Sequence, residues 1–395
     1  MPDLGTVALE DAPRVDFPRL RAERRSRCLE AMERHGLDVL VLGREANARY
    51  VAGARRLWTA GTRAFAPTCV LVRATGDVHL LSTWDDGIPE EIPRGNLFGV
   101  TWNPVNLVTA VRVAPRVAEA RRIGVDAMTP LFSGLFSAAL PQAELVDATP
   151  ALRSARATKL PDEISCIRTA LAIAESGLSC SLDLLRPGVG EGELRGAFSE
   201  RLTAFGVTVP GAEASFRATA TSEDRGGAAP PGGGPFDEGR LVACAASALY
   251  AGYEGSLART WLCSGDLGGR RAAGPTAEQR RLHQRWIDLW GQLLAACRPG
   301  ADARRLRDVY LASGEPWSPF PVAHGLGLGM EPPLVGAGPD TDPDAAWTLI
   351  PGTVLSVGAR LDAPGVGSYL AREVVLVTDT GAETLSNHSH GPLAG

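Results

Sequence analysis

Residues Ala323 to Pro333 read Ala-His-Gly-Leu-Gly-Leu-Gly-Met-Glu-Pro-Pro, with one of the chain's six histidines at position 324 and glycines alternating behind it. Each glycine costs a helix about 1 kcal/mol relative to alanine, so the stretch does not read as helix. It reads as a strand or loop whose backbone must approach something closely. Taken alone, the same letters also suit a glycine-rich surface turn carrying a solvated histidine.

The rest of the chain narrows that choice. Its 395 residues exceed the size at which one hydrophobic core keeps growing, so two domains are expected. A net charge of -5 and a pI near 5.8 offer no general attraction for nucleic acid or an anionic membrane. No apolar run is long enough to span a bilayer and the first residues lack a secretory pattern, so a cytoplasmic protein is expected. The seven cysteines are scattered without a Cys-x-x-Cys pair, which argues against a disulfide framework or a structural zinc.

Residues 1–150 alternate helix and strand patterns. An amphipathic helix runs from Leu20 to Gly36, a buried strand follows from Asp38, a short helix from Asn47, strands from Thr68 and Val78, and a helical stretch from Val108 to Ala120. This is an α/β first domain. The segment from Asp147 to Asp162 marks a boundary and leads into a long amphipathic helix reaching Leu185, so residues 151–395 form the second domain. Residues 225–235 are a low-complexity loop, and the runs Arg240 to Tyr250 and Tyr253 to Cys263 form a hairpin turned at Ala251-Gly252. Pro275 to Cys297 reads as a further helix, and the tail from Leu349 to Leu385 as two strands.

These landmarks carry a resemblance. Leu152-Arg-x-x-Arg-x-x-Lys159 with Pro161-Asp-Glu-Ile is followed by Arg186-Pro-Gly-Val-Gly-Glu, Gly252-Tyr253, Arg259-Thr260, His324-Gly-x-Gly, Pro351-Gly352 and Val377-Thr378 with Gly381. In that order and at those spacings, the chain from about Leu20 to Leu385 resembles the creatinase, aminopeptidase P and prolidase family. The resemblance implies an α/β N-terminal creatinase-like domain, an α+β pita-bread C-terminal domain and a homodimer. Most members of that family hydrolyse peptide bonds with two divalent metal ions held by two Asp, one His and two Glu. Carried over residue by residue, those ligands fall on Ala245, Ser256, His324, Gly358 and Arg372, so only the histidine survives. Exchanging four carboxylates for Ala, Ser, Gly and Arg moves about five charge units toward positive, and neither a metal nor another cofactor is expected. Making Glu373 the ligand by a one-residue slip would turn it to the opposite face of its strand unless a bulge intervened.

The resemblance includes a metal-independent branch typified by creatinase, which cleaves a C–N bond in a guanidino acid with a histidine. That histidine belongs in the loop before the Arg240 strand, and residues 225–240 contain none. The expectation is a metal-independent enzyme acting on a small amino-acid-like or carboxylated substrate by C–N bond hydrolysis or elimination. His324 and Glu331 are the candidates for proton transfer, with Glu331 either orienting His324, serving as base, or standing solvated at a loop edge. Arg372 is the candidate for the substrate anion, or else an internal partner of Glu373 or Glu254. Tyr253, Glu254, Ser256 and Glu373 are expected around the substrate, with Arg259 supporting the site from behind. Cys244 reads as strand core. Arg55, Arg56, Trp58 and Arg63 in a first-domain loop are candidates to reach a partner subunit's site, or a solvated basic loop. The expected partner is a small molecule, with no nucleic acid and no membrane. A non-catalytic descendant that keeps the cavity for a ligand or a protein fits the same letters, whereas an Xaa-Pro metallopeptidase would need ligands this chain does not supply.

Overall fold

The computed structural model describes residues 15–54, 66–82, 87–99, 101, 103–207, 213–219, 234–265, 274–316, 320–336 and 347–390. They fall into two compact units that meet in sequence between Ala157 and Thr158, seven residues past the expected boundary at 150. The difference has a packing cause: the helix at Thr149–Arg156 lies on the first helix of the chain and so belongs to the first unit.

The first unit runs α1 (Phe17–Arg34), β1 (Val39–Leu42), α2 (Glu45–Ala52), β2 (Cys69–Val72), β3 (Val78–Leu81), β4 (Leu97–Phe98), α3 (Pro104–Val113), β5 (Arg122–Val125), α4 (Pro130–Ala139), β6 (Glu144–Asp147) and α5 (Thr149–Arg156). Its six strands form one sheet in the order β4-β3-β2-β1-β5-β6, with β1 parallel to β5 and antiparallel to β2. All four residues of β1 are buried, as a central strand of an α/β sheet requires. The single helix expected over 108–120 is instead α3 followed by a short 3-10 turn at Val117–Glu119. Pro115 stands between them, and its missing N–H and ring stop the first segment.

The second unit continues with α6 (Pro161–Leu182), α7 (Glu191–Ala204), β7 (Ser215–Ala218), β8 (Leu241–Tyr250), β9 (Tyr253–Leu262), α8 (Ala277–Ala296), α9 (Arg304–Ala312), β10 (Ala323–Gly327), β11 (Gly329–Val335), β12 (Val354–Ala363), β13 (Gly367–Val377) and β14 (Ala382–Thr384). Seven strands line up as β11-β10-β12-β13-β9-β8-β7, with β14 beside β13. β8 and β9 are the expected hairpin, turned by Ala251 at φ 49 and Gly252 at φ 85, which suit a tight two-residue turn. The glycine-rich stretch is also a hairpin, β10 and β11, and its residues from Gly325 to Leu328 are buried, which removes the surface-turn alternative.

Side chains alternate between the faces of a strand, so the register decides what each residue meets. One face is covered by helices. α6 lies on β8 and β9, and α8 lies on β12 and β13, where Trp286 donates to the Ala359 carbonyl at 3.1 Å and stacks on Trp290. Leu355, Val357, Tyr369, Ala371 and Val375 complete that core. The residues between them point to the opposite, open face. Among the described helices, none is long and apolar enough to cross a membrane.

Candidate active site

The open face is organised in cross-strand rows. β12 sets Gly358 opposite Arg372 of β13; Arg372 lies opposite Ala258 of β9, and Ala258 opposite Ala245 of β8. In the adjacent row His324 of β10 lies opposite Ser356 of β12, which faces Val374 of β13. Continuing the same register brings in Ser256 on β9. The five positions at which the resemblance places metal ligands therefore converge in two neighbouring rows of one face. Their side chains do not fit two divalent cations. A methyl group, a hydroxyl, a bare glycine and a guanidinium replace four anionic oxygen donors, leaving one imidazole. Among the described residues, no group of three His, Cys, Asp or Glu side chains is arranged to hold a metal ion.

Arg372 occupies the centre of this face. Nη1 donates to the Ser356 carbonyl at 3.2 Å and approaches Ser356 Oγ at 3.4 Å, while Nη2 donates to the Pro321 carbonyl. All three acceptors are neutral. No carboxylate forms an ion pair with it among the described residues, and desolvation pulls its pKa down to about 10. Gly358 is part of the same rearrangement. A Cβ there would run into the Ala371 carbonyl oxygen and lie 2.7 Å from Arg372 Cα, so the backbone of β13 passes too close to admit a side chain at 358.

His324 sits one row away, with Nδ1 3.0 Å from the Gly325 carbonyl. A carbonyl only accepts, so this contact assigns the proton to Nδ1 and leaves Nε2 as the basic nitrogen. Burial, reinforced by the charge of Arg372 and opposed by the Gly325 carbonyl, holds its pKa below the ordinary histidine value. The ring is consequently neutral at pH 7. Glu254 shares this face toward the turn of the β8–β9 hairpin, where burial raises its pKa against the hydroxyls of Ser256 and Ser247. It stands four residues from Ala258, about 13 Å along the strand, and so lies beyond the reach of an anion held at Arg372.

Four other candidates occupy the helix-covered face. Glu331 pairs across the hairpin with Gly325, while Leu334 lies opposite His324, because the register shifts between His324 and Gly325. Its carboxylate accepts from Lys159 Nζ at 2.8 Å and from the Leu328 N–H at 3.1 Å. It is buried in an ion pair, neither orienting His324 nor solvated at a loop edge. Glu373 pairs with Arg259 at 2.8 Å and also accepts from Ser386 Oγ and His390 Nε2. It is therefore no partner of Arg372 and does not line the open face. Tyr253 donates to Glu163 at the start of α6 at 2.7 Å, which takes it away from a substrate as well. Arg259, fully buried, also donates to the carbonyls of His388, Ser389 and Arg372, and so fixes the backbone behind the site. Cys244 is buried and burial pushes its thiol pKa up, which leaves it no role as a nucleophile. Arg55, Arg56, Trp58 and Arg63 lie outside the described residues.

Two residues escaped the sequence reading. Ser356 shares the parity of Gly358 on β12 and touches Arg372, a relation that a period-two count back from Gly358 would have found. Arg217 on β7 reaches the open face through strand pairing alone, and no sequence signal marks it.

Comparison with known proteins supports the two-domain fold. The sequence pattern of metallopeptidase family M24 matches residues 165–379, and that of the creatinase/prolidase N-terminal domain matches residues 24–158. Creatinase from Bacillus sp. (strain B-0618) is 24% identical over 400 residues, covering 93% of this chain and 91% of its own. The crystal structure of the prolidase from Pyrococcus horikoshii OT3 superposes with a TM-score of 0.72 at 17% identity, over 93% of this chain and 99% of its own. Dipeptidase PepE from Mycobacterium ulcerans gives a TM-score of 0.71 at 23% identity, over 96% and 98% of the two chains.

Proposed function

The chain belongs to metallopeptidase family M24, and from that membership and the cation standing among the family's ligand positions we propose a cytoplasmic enzyme that works without a metal ion. Its substrate is a small, carboxylated, amino-acid-like molecule, and its reaction breaks a C–N bond by hydrolysis or by elimination. The observation that carries this reading is Arg372, a desolvated guanidinium whose hydrogen-bond partners are all neutral, on the open face beside His324. An anion from outside supplies the missing charge, and the planar fork of an arginine suits a carboxylate. Nε2 of His324 is then the base. In hydrolysis it takes a proton from the attacking water and returns it to the departing nitrogen; in elimination it takes a proton from the carbon next to the one bonded to nitrogen, the C–H electron pair becomes a C=C bond, and the nitrogen leaves with the C–N pair and takes up that proton. The similarity to creatinase over most of both chains supports a C–N bond as the target. A homodimer in which the basic first-domain loop completes the partner's site is part of the same proposal.

A second reading, a non-catalytic descendant that only binds its ligand, draws on one observation: residues 225–240 lack the histidine that the creatinase branch uses. One experiment separates them. Metal content of the purified protein is measured by mass spectrometry, with thermal-shift scans against EDTA, divalent ions and a panel of amino and guanidino acids. Metal-free protein that ignores EDTA and is stabilised by a carboxylated compound, with that shift lost in Arg372→Ala, is the expected result. Stoichiometric Mn, Zn or Fe whose removal destabilises the fold would overturn it. Stabilisation without turnover of any ligand would favour the binding protein.

A further inference from the structure

Next to the Arg372 row, the open face holds a cavity of about 300 Å³ lined by Arg217, Ala243, Ala245, Phe320, Arg360 and Leu370. The register explains the space. Arg217 lies opposite Ala243, and Leu370 lies opposite Arg360, so two long cationic side chains flank a floor that includes two methyl groups. The two arginines are not equivalent. Arg360 is tied to Asp362 at 3.0 Å and to Ser368 Oγ at 3.0 Å. Nε of Arg217 is buried and has no hydrogen-bond partner among the described residues. A charged donor left unpaired in a cavity wall is costly, and an oxyanion entering the cavity removes that cost.

We propose that this cavity is a second oxyanion pocket of the same site, so that the ligand carries two anionic groups. One carboxylate sits at Arg372, an apolar spacer crosses Ala243, Ala245 and Leu370, and a second oxyanion, carboxylate or phosphate, meets Arg217. The proposal rests on the reading of Arg372 given above. Arg217 stands three strands from Arg372 and two residues further along, about 16 Å between Cα positions in a flat sheet. The Arg372 guanidinium is turned toward β12 and β10, onto Ser356 and the Pro321 carbonyl, so a ligand that joins the two arginines is an extended dianion rather than a short one. Phe320, 47% exposed at the cavity wall, gives the spacer an apolar side to lie against.

The test uses the full chain and measures binding by calorimetry. The probes are straight-chain dicarboxylates from succinate to sebacate, their ω-phosphono analogues, and monocarboxylates of matched length. The expected result is that the best dianion binds at least about tenfold tighter than its matched monocarboxylate. The dicarboxylate and phosphono arms tell which oxyanion the pocket takes. Arg217→Gln is expected to reduce the advantage to under about twofold while leaving monocarboxylate affinity in place. Ala243→Leu, which fills the cavity and keeps Arg217, is expected to do the same and guards against a folding defect in the first variant. Arg372→Gln loses both ligand classes. Monocarboxylate binding that depends on Arg372, with no dianion advantage or with one that survives Arg217→Gln and Ala243→Leu, overturns the second pocket and leaves the reading of Arg372 standing. No binding of any of these anions to the unmodified protein sinks both.

Discussion

The two faces of the second unit's sheet treat charge in opposite ways. On the helix-covered face Arg259 meets Glu373 and Lys159 meets Glu331, each pair almost wholly buried and each closed on itself. On the open face Arg372 and Arg217 have no carboxylate partner among the described residues, and His324 is held neutral. The ionisable residues of both faces come from the same strands, often from adjacent positions: Arg372 and Glu373 are neighbours that point in opposite directions. A charge whose complement lies inside the chain contributes to the fold, while one without an internal complement is available to something outside.

That contrast is open to measurement. The largest effect is expected for Arg259→Met, which leaves Glu373 buried without its cation and lowers unfolding free energy by about 3–5 kcal/mol in urea denaturation. Adding Glu373→Leu to that variant is expected to recover much of the loss, since it removes the uncompensated charge. Gly327→Ala tests the second closed pair: its Cβ would come 2.4 Å from Glu331 Oε1 and 2.7 Å from Lys159 Cε. A loss of about 2 kcal/mol is expected from forcing those groups apart.

Acid should reach the helix-covered face through His390, whose pKa is lowered to about 4 by burial and then by the nearby Arg259, His283 and His388. The unfolded chain takes up that proton near pH 6.5 and the folded chain does not, so stability falls as pH drops from 6.5 through about 4. With allowance for partial exposure the contribution is about 1–2 kcal/mol, and His390→Phe should flatten that part of the pH–stability curve. Arg372→Met is expected to give the smallest change and the opposite sign, unfolding free energy unchanged or higher by about 1 kcal/mol, because it removes a desolvated charge with no ionic partner. A large loss of stability in that variant would mean the open face depends on its cation structurally, and the contrast between the faces would collapse.

Much of this is legible in the letters, and the failures have distinct physical causes. The β8–β9 hairpin follows from alternation on both sides of Ala251-Gly252, and the landmark order leads to the five positions that converge on the open face. The spacing of Glu331 from His324 says nothing about the register shift between His324 and Gly325, which hands the opposing position to Leu334. Strand alternation turns Glu373 and Tyr253 away from their neighbours in the site, so neither lies around the substrate as the resemblance implies. Arg217 was invisible for a different reason: the lack of a partner is a property of the packed chain, and no local pattern encodes it.

The ties on Arg259 join an early hairpin to the last residues of the second unit. Its guanidinium is held by the carbonyls of His388 and Ser389 and by the hydroxyl of Ser386, residues added to the growing chain roughly 130 positions after it. Glu373, its ionic partner, also arrives late. While a ribosome is still making β10 and β12, the β8–β9 hairpin therefore carries a cation with nothing to neutralise it, on the face that α6 is to cover. The full set of partners that Arg259 has in the folded unit is therefore complete only once the segment through His390 has been synthesised.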